Sequence, residues 1–401
     1  MSNVLFVNVF GYGHINPTIS IVRELVGRGE NVTYIADEEF KGMLERLDVN
    51  FIGYKNFDEL EFHNGNINLE CIEPQLFKIA TVYKEIVDII FSLNDKYDCL
   101  IYDSLFFIGN EVARALKVTS ISSVSTFATN DKTDYLSMFI NLCKPAVEKL
   151  LCRTGFIEII NYLWDKYKII TPDFFSLHTI KNDLNIVYTS KYFQISGDSF
   201  DDSYKFIGPS IVDSGESTDS IITNDYSSKI IYISLGTIFN NSIEFYESCF
   251  KAFKKMDASI IMSVGKNIDI NVFKAIPPNF IVRNCVPQLE ILKHADVFIT
   301  HGGMNSTNEG LYYSVPLIVV PHFFDQYIVA QRVAELGAGV IIQKNKVTPK
   351  LLYQSVVSIL SDISFKENSK KIGNSLREAG GYKKGVNEIF NIKNKTTLLG
   401  V

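Results

Sequence analysis

The sequence predicts an α/β protein built from two doubly wound, Rossmann-like domains. Three observations carry that expectation. At 401 residues the chain is long for a single hydrophobic core. In both halves short apolar runs alternate with amphipathic helical stretches, the pattern of a parallel sheet covered on both faces. Between the halves the segment GPSIVDSGESTDSIITNDYSS, residues 208–228, is polar and breaks the rhythm, as a linker does. The expected organisation is therefore a first domain at 1–207, the linker at 208–228, a second domain at 229–380, and a terminal helix and tail at 381–401.

In the first half, an apolar strand at 4–9 leads through a glycine-rich turn into a helix at 17–27, with Ile19, Val22, Leu25 and Val26 on one face. A strand at 31–36 follows, and the alternation resumes with strand 98–102, helix 110–116 and strand 119–123. Residues 127–181 are aromatic-rich and mainly helical, with Tyr135, Met138, Phe139, Phe156, Trp164, Tyr167, Phe174 and Phe175. Such residues usually fill a core, yet this stretch also suits the wall of an apolar pocket. In the second half strands are expected at 230–234, 259–264, 280–283, 297–300 and 317–320, with helices at 244–255, 289–293, 305–312 and 326–335 between them.

Composition narrows the function. A hydrophobic share of 46% and a charged share of 21% describe an ordinary globular chain. The net charge of −6, with no Lys/Arg stripe, argues against nucleic-acid binding, which rests on neutralising phosphates. The 6 cysteines form no C-x-x-C pair and read as reduced thiols in a cytoplasmic protein. There is no basic leader at the N-terminus, and no apolar run approaches the roughly 18 residues of a membrane span, so stable membrane insertion is not expected.

Open α/β sheets bind ligands beyond the carboxyl ends of their strands, so the expected site is a cleft between the two domains. The first candidate is Gly11-Tyr12-Gly13-His14-Ile15-Asn16-Pro17. A dinucleotide fingerprint would need glycine where Asn16 stands, although Asp37 ends the second strand where a ribose-binding acid would sit. His14 falls just before the expected helix, with Pro17 suited to its first turn, and imidazole can take a proton from a hydroxyl at neutral pH. A capping histidine fits the same segment. Asp103 ends its strand at the same sheet edge, where a carboxylate could hold one ring nitrogen. Asp103 as a cap of the next helix is the competing reading.

The most specific text is His301-Gly302-Gly303-Met304-Asn305-Ser306-Thr307-Asn308-Glu309-Gly310, running from a strand into a helix. Glycines let backbone approach a ligand, and a helix N-terminus presents N–H groups to phosphate. Glu309, one turn in, could accept from ribose hydroxyls. Ser234-Leu235-Gly236-Thr237 and Val286-Pro287-Gln288 follow other strands and suit a diphosphate and a base, respectively. Asp325 and Gln326, after the strand at 317–320, offer an acceptor and an amide for sugar hydroxyls. Read singly, each is an ordinary turn or cap.

Together these segments resemble the UDP-glycosyltransferase superfamily, in its bacterial macrolide glycosyltransferase-like branch that also modifies flavonoids. GHINP, IYDS, FIGP, SLGT, VPQLEIL, THGGMNSTNEGLYYSVPLIVVP and DQ carry the likeness along essentially the whole chain. The resemblance implies a GT-B fold, with acceptor on the first domain and donor mainly on the second. It implies His14 as base and Asp103 as its partner. Gly236, Thr237, His301, Gly303, Asn305 and Ser306 would contact the diphosphate, Glu309 the ribose, and Val286 and Gln288 the uridine. Asp325 and Gln326 would read the sugar, the Gln pointing to glucose, and Asn16 would approach the donor. Two positions depart from plant members. Met304 stands for a Trp and Cys285 for an aromatic, which alters stacking on the uracil.

The implied reaction is a single displacement with inversion, in which a hexose moves from a UDP-sugar co-substrate to a hydroxyl of a small, largely apolar acceptor. No cofactor and no metal is expected, and no D-x-D motif occurs in the chain. The protein is expected to act as a monomer or weak dimer. A sugar-nucleotide epimerase of the same fold and a non-catalytic nucleotide-sugar-binding protein are the alternatives. The acceptor-contacting segments are expected at 56–77 and 127–181.

Overall fold

The computed structural model describes residues 2–9, 11–55, 69–133, 135–212, 229–237 and 240–399. The chain forms two compact units, one of residues 1–210 with 379–401, the other of residues 211–378. Most of the expected linker at 208–228, and residues 56–68 of one expected acceptor segment, lie outside the described residues.

The first unit holds a seven-stranded sheet in the order β3-β2-β1-β4-β5-β6-β7. Its strands are β1 Asn3–Val7, β2 Asn31–Asp37, β3 Asn50–Tyr54, β4 Cys99–Asp103, β5 Thr119–Val124, β6 Leu184–Val187 and β7 Tyr204–Phe206. All neighbours run parallel, so every strand delivers its carboxyl end to the same edge. The strand order reverses at β1 and β4, and the crevice at such a point is where open sheets bind ligands. β4 and β5 are buried at every position, as strands covered on both faces must be.

The first helix is Tyr12–Gly27, beginning five residues before the expected start at Pro17. Pro17 is its sixth residue and is buried. It therefore lies past the first turn, where its missing N–H removes one intrahelical bond, that to the Gly13 carbonyl, rather than in the first turn where it was expected. Ile15, Ile21, Val22 and Leu25 turn one face onto the sheet. Each such side chain contributes roughly 1.5–3 kcal/mol on full burial. His14 accordingly sits inside the first turn rather than ahead of the helix.

Asp37 closes β2, and its side chain accepts from the Glu39 N–H at 3.0 Å, a capping role. The aromatic stretch forms helices Tyr135–Leu151 and Thr154–Tyr167 and the 3-10 turn Phe174–Thr179. Phe156 is buried 6.1 Å from Phe174, and Tyr167 stacks on Phe91 at 4.3 Å, so both serve packing. Trp164 is 48% exposed.

The second unit repeats the plan with six parallel strands in the order β10-β9-β8-β11-β12-β13. They are β8 Lys229–Ser234, β9 Ala258–Ser263, β10 Phe280–Arg283, β11 Val297–Thr300, β12 Leu317–Val319 and β13 Gly339–Ile341. Its reversal lies between β8 and β11. The chain then returns to the first unit, where the helix Gly381–Leu399 packs on the first helix and puts Val386 and Ile389 into that core. Lys393 on this helix pairs with Glu30, the two side chains being 10% and 7% exposed.

Candidate active site

Three neighbouring strand ends of the first unit converge on His14. The helix that follows β1 carries the imidazole, β4 ends in Asp103, and Ser125 lies just past β5. His14 Nδ1 is 2.7 Å from Asp103 Oδ2 and 2.8 Å from Ser125 Oγ. Asp103 is fully buried, while the His14 side chain is 19% exposed. A carboxylate only accepts hydrogen bonds, so Nδ1 bears the proton and the ring's lone pair is on Nε2. The other oxygen, Asp103 Oδ1, accepts from the Leu105 N–H at 2.8 Å. Asp103 is thus the histidine partner and also holds the turn after β4, but it does not cap the next helix, Gly109–Leu116, whose N-cap is Ile108. The two bonds together compensate the cost of burying its charge.

Ser125 and Asn8 escaped sequence reasoning. Asn8, fully buried, donates from Nδ2 to the His14 carbonyl at 3.1 Å, and its own carbonyl accepts from Tyr54 Oη at 3.0 Å. This anchors the helix start to the sheet. The usable signal was position alone, since both residues lie immediately beyond a strand. Asn16 is exposed on the first helix. A Cβ on Gly11 or Gly13 would meet nothing within 4 Å, so packing does not demand glycine at either position.

In the second unit, β11 ends at Thr300 and a His-Gly-Gly turn leads into the helix Met304–Tyr312. Gly302 has φ +87°, and a Cβ there would stand 2.6 Å from Val319 Cγ1. The His301 ring lies between two other glycines: a Cβ on Gly236 would be 2.5 Å from Cε1, and one on Gly303 2.5 Å from Nε2. Burial pushes the His301 imidazole down to about 3, and the nearby His322 adds to this. Burial likewise brings His322 to about 4, with Lys344 contributing. His301 is therefore a neutral ring near pH 7, able to donate a hydrogen bond but carrying no charge. Asn305 and Ser306 occupy the first turn, at the positive end of the helix.

Gln288, Ser306 and Glu309 meet in one network. Gln288 Nε2 donates to Glu309 Oε2 and lies 3.4 Å from Ser306 Oγ. Its Oε1 accepts from Tyr232 Oη at 2.9 Å, so the amide can face only one way. Burial lifts the Glu309 carboxyl to about 7, opposed by the Gln288 bond. Tyr232, on β8, was not anticipated. It is fully buried and stacks on Phe298 at 4.8 Å.

The remaining candidates are placed less tightly. Thr237 is exposed, while the carbonyls of Gly236 and Thr237 accept from Asn240 Nδ2 at 2.9 and 3.1 Å. Val286 is partly buried in the turn after β10. Gln326 is buried, and its Oε1 accepts from the N–H groups of His322 and Phe323 at 2.8 and 3.1 Å. That oxygen is committed to the turn. Asp325 beside it is partly buried.

Among the described residues no group of three or more His, Cys, Asp or Glu side chains is placed to hold a metal ion. No described helix is long and apolar enough to cross a membrane.

Residues 247–379 match the family described as erythromycin biosynthesis protein CIII-like, C-terminal domain. The whole chain is 36% identical over 407 residues to the uncharacterized UDP-glucosyltransferase YojK of Bacillus subtilis, with 99% of each covered. The chain belongs to the UDP-glycosyltransferases, in their macrolide glycosyltransferase-like branch. This glycosyltransferase is also 35% identical to the NDP-glycosyltransferase YjiC of Bacillus subtilis, with 96% of each covered. The crystal structure of CalG4, the calicheamicin glycosyltransferase, matches it at a TM-score of 0.84 and 26% identity over 98% of both chains. The two parallel sheets of the glycosyltransferase are those of a GT-B fold.

Proposed function

We propose that this glycosyltransferase moves a hexose, glucose, from UDP-glucose to a hydroxyl of a small, largely apolar acceptor such as a phenolic or macrolide, with inversion and without a metal. The observation that carries the reading is the 2.7 Å contact between His14 Nδ1 and the buried Asp103. It presents Nε2 as a base on the first unit. The acceptor hydroxyl gives its proton to Nε2 as its oxygen forms a bond to the anomeric carbon. The bond from that carbon to the phosphate oxygen breaks, and UDP leaves with the electron pair. Asp103 stabilises the imidazolium. General-base help of this kind is worth ~10²–10⁴-fold.

The second unit supplies the donor side. The start of the helix Met304–Tyr312, with Gly303, Asn305 and Ser306, and the neutral His301 offset charge developing on the diphosphate. Gly236 and Thr237 approach the same phosphates. Gln288 and Glu309 hold ribose, Val286 the base, and Asp325 and the Gln326 amide the sugar, and Asn16 is a further donor contact. The free cysteines, Cys99, Cys143, Cys152, Cys249 and Cys285, support a reducing, cytoplasmic setting. The protein works as a monomer or weak dimer.

The test is a mass-spectrometric screen of phenolics and macrolides with UDP-glucose, other sugar nucleotides competing, with and without EDTA. Glucosylated product from UDP-glucose in EDTA is expected. Preference for another sugar nucleotide, or loss of turnover in EDTA, overturns the corresponding part. His14→Ala should abolish transfer while UDP still binds, and turnover like the wild type would remove the base assignment.

A further inference from the structure

We infer that Ser125 is a positioning residue for the catalytic base, acting as a second acceptor at His14 Nδ1. The inference rests on the reading of His14 as base. Nδ1 carries one proton, yet two oxygens lie within bonding distance, Asp103 Oδ2 at 2.7 Å and Ser125 Oγ at 2.8 Å. They come from different strand ends, β4 and β5, and meet at the same ring nitrogen.

Asp103 alone leaves the imidazole a path along which the Nδ1-to-carboxylate distance stays constant while Nε2 swings. A second contact from another strand stops that swing. Proton transfer needs the base within about 2.6–3.2 Å of the hydroxyl it serves, so the direction of Nε2 decides the rate. The second acceptor also favours the charged ring: once Nε2 is protonated, Nδ1–H is the stronger donor and the shared bond tightens.

The buried serines of β5 find their partners elsewhere. Ser120 bonds Asp183 at 2.9 Å and Ser123 bonds Tyr188 at 3.0 Å, each tying the sheet to a neighbouring segment. Ser125 is equally buried, 3% exposed, but its hydroxyl bonds the imidazole. Register puts Asp103 opposite Ser123, so Ser125 is two residues on, the strand period that returns a side chain to the same face.

Ser125→Ala, Ser125→Cys and Ser125→Thr, measured beside His14→Ala, test this. The Ala and Cys variants should lose about tenfold in kcat, the order expected for one hydrogen bond to a charged group, with acceptor KM and UDP affinity nearly unchanged. The acidic limb of their pH–rate profile should move to lower pH, because the imidazolium has lost an acceptor. Ser125→Thr, which keeps the hydroxyl, should restore both rate and profile. A role confined to folding would lower the melting temperature and active fraction without moving that limb. Wild-type kcat and profile in Ser125→Ala or Ser125→Cys, with His14→Ala inactive, would overturn the inference alone. Activity in His14→Ala would instead remove the base reading on which it stands.

Discussion

The imidazole of His301 lies against the bare Cα of Gly236, where an added Cβ would stand 2.5 Å from Cε1 and 2.8 Å from Nε2. Two loops from the neighbouring strands β8 and β11 therefore fit only because one residue has no side chain. Gly236 also has φ +77°, a region costing an L-residue roughly 1–2 kcal/mol. Gly236→Ala should lose about 2–3 kcal/mol by urea unfolding and bind UDP at least tenfold more weakly by calorimetry. Unchanged stability and affinity would show that the ring and this glycine do not constrain one another.

Glu309 should couple stability to pH. Its folded carboxyl titrates at about 7 against an ordinary 4.5, because burial disfavours the charge. Its contribution is intact below pH 4.5 and is lost as pH rises through 7. Glu309→Gln, always neutral, should therefore melt higher than wild type at pH 8, by an effect on the order of 2–3 kcal/mol, and match it at pH 4. The same variant should bind UDP more weakly. An equal melting difference at both pH values would rule out the buried carboxylate charge as the cause.

Asp103→Asn should keep the fold, since an amide oxygen can still accept from the Leu105 N–H. It should nonetheless lose ~10²–10⁴-fold in kcat, because an amide favours the other histidine tautomer and leaves the imidazolium without its counter-charge. Steady-state kinetics with a UDP-binding control decides it. A drop confined to KM would assign Asp103 to substrate binding instead.

Lys393→Ala removes the cation paired with Glu30, whose side chain is 7% exposed and, among the described residues, keeps only the Ser2 hydroxyl as a donor. A buried charge that loses its counter-ion costs up to about 3–5 kcal/mol, and the Ser2 bond offsets part of it. Thermal unfolding should show this loss, and Glu30→Gln combined with Lys393→Met should recover most of it. Failure of the double variant to recover would trace the loss to packing rather than charge.

Much of this was readable in the residues. The alternation of strands and helices yielded β1, β2, β4 and β5 of the first sheet and β8 to β12 of the second, and the strand-end positions of His14 and Asp103 made their meeting foreseeable. The unread parts have physical reasons. β7 and β13 are three residues each, too short for periodicity to register, and β3 and β6 went unread as well. The start of the first helix was obscured by Gly11, Gly13 and Pro17, residues that usually punctuate a chain rather than build a helix. Ser125, Asn8, Tyr232 and Asn240 reach their partners across 111, 6, 56 and 4 positions, and only the folded arrangement reveals such contacts. The double use of Asp103, which holds the turn after β4 as well as the histidine, could not be read from either motif alone.

The helix Gly381–Leu399 completes the core of a unit that began almost four hundred residues earlier. During synthesis the first sheet emerges long before that helix, with Ile21 and Ile207 still uncovered at Gly385's future place. The second unit, contiguous from 211 to 378, can close as it leaves the ribosome. The domain that starts first is thus the one that finishes last, and a nascent chain stalled before residue 381 would carry an open apolar seam for chaperones to guard.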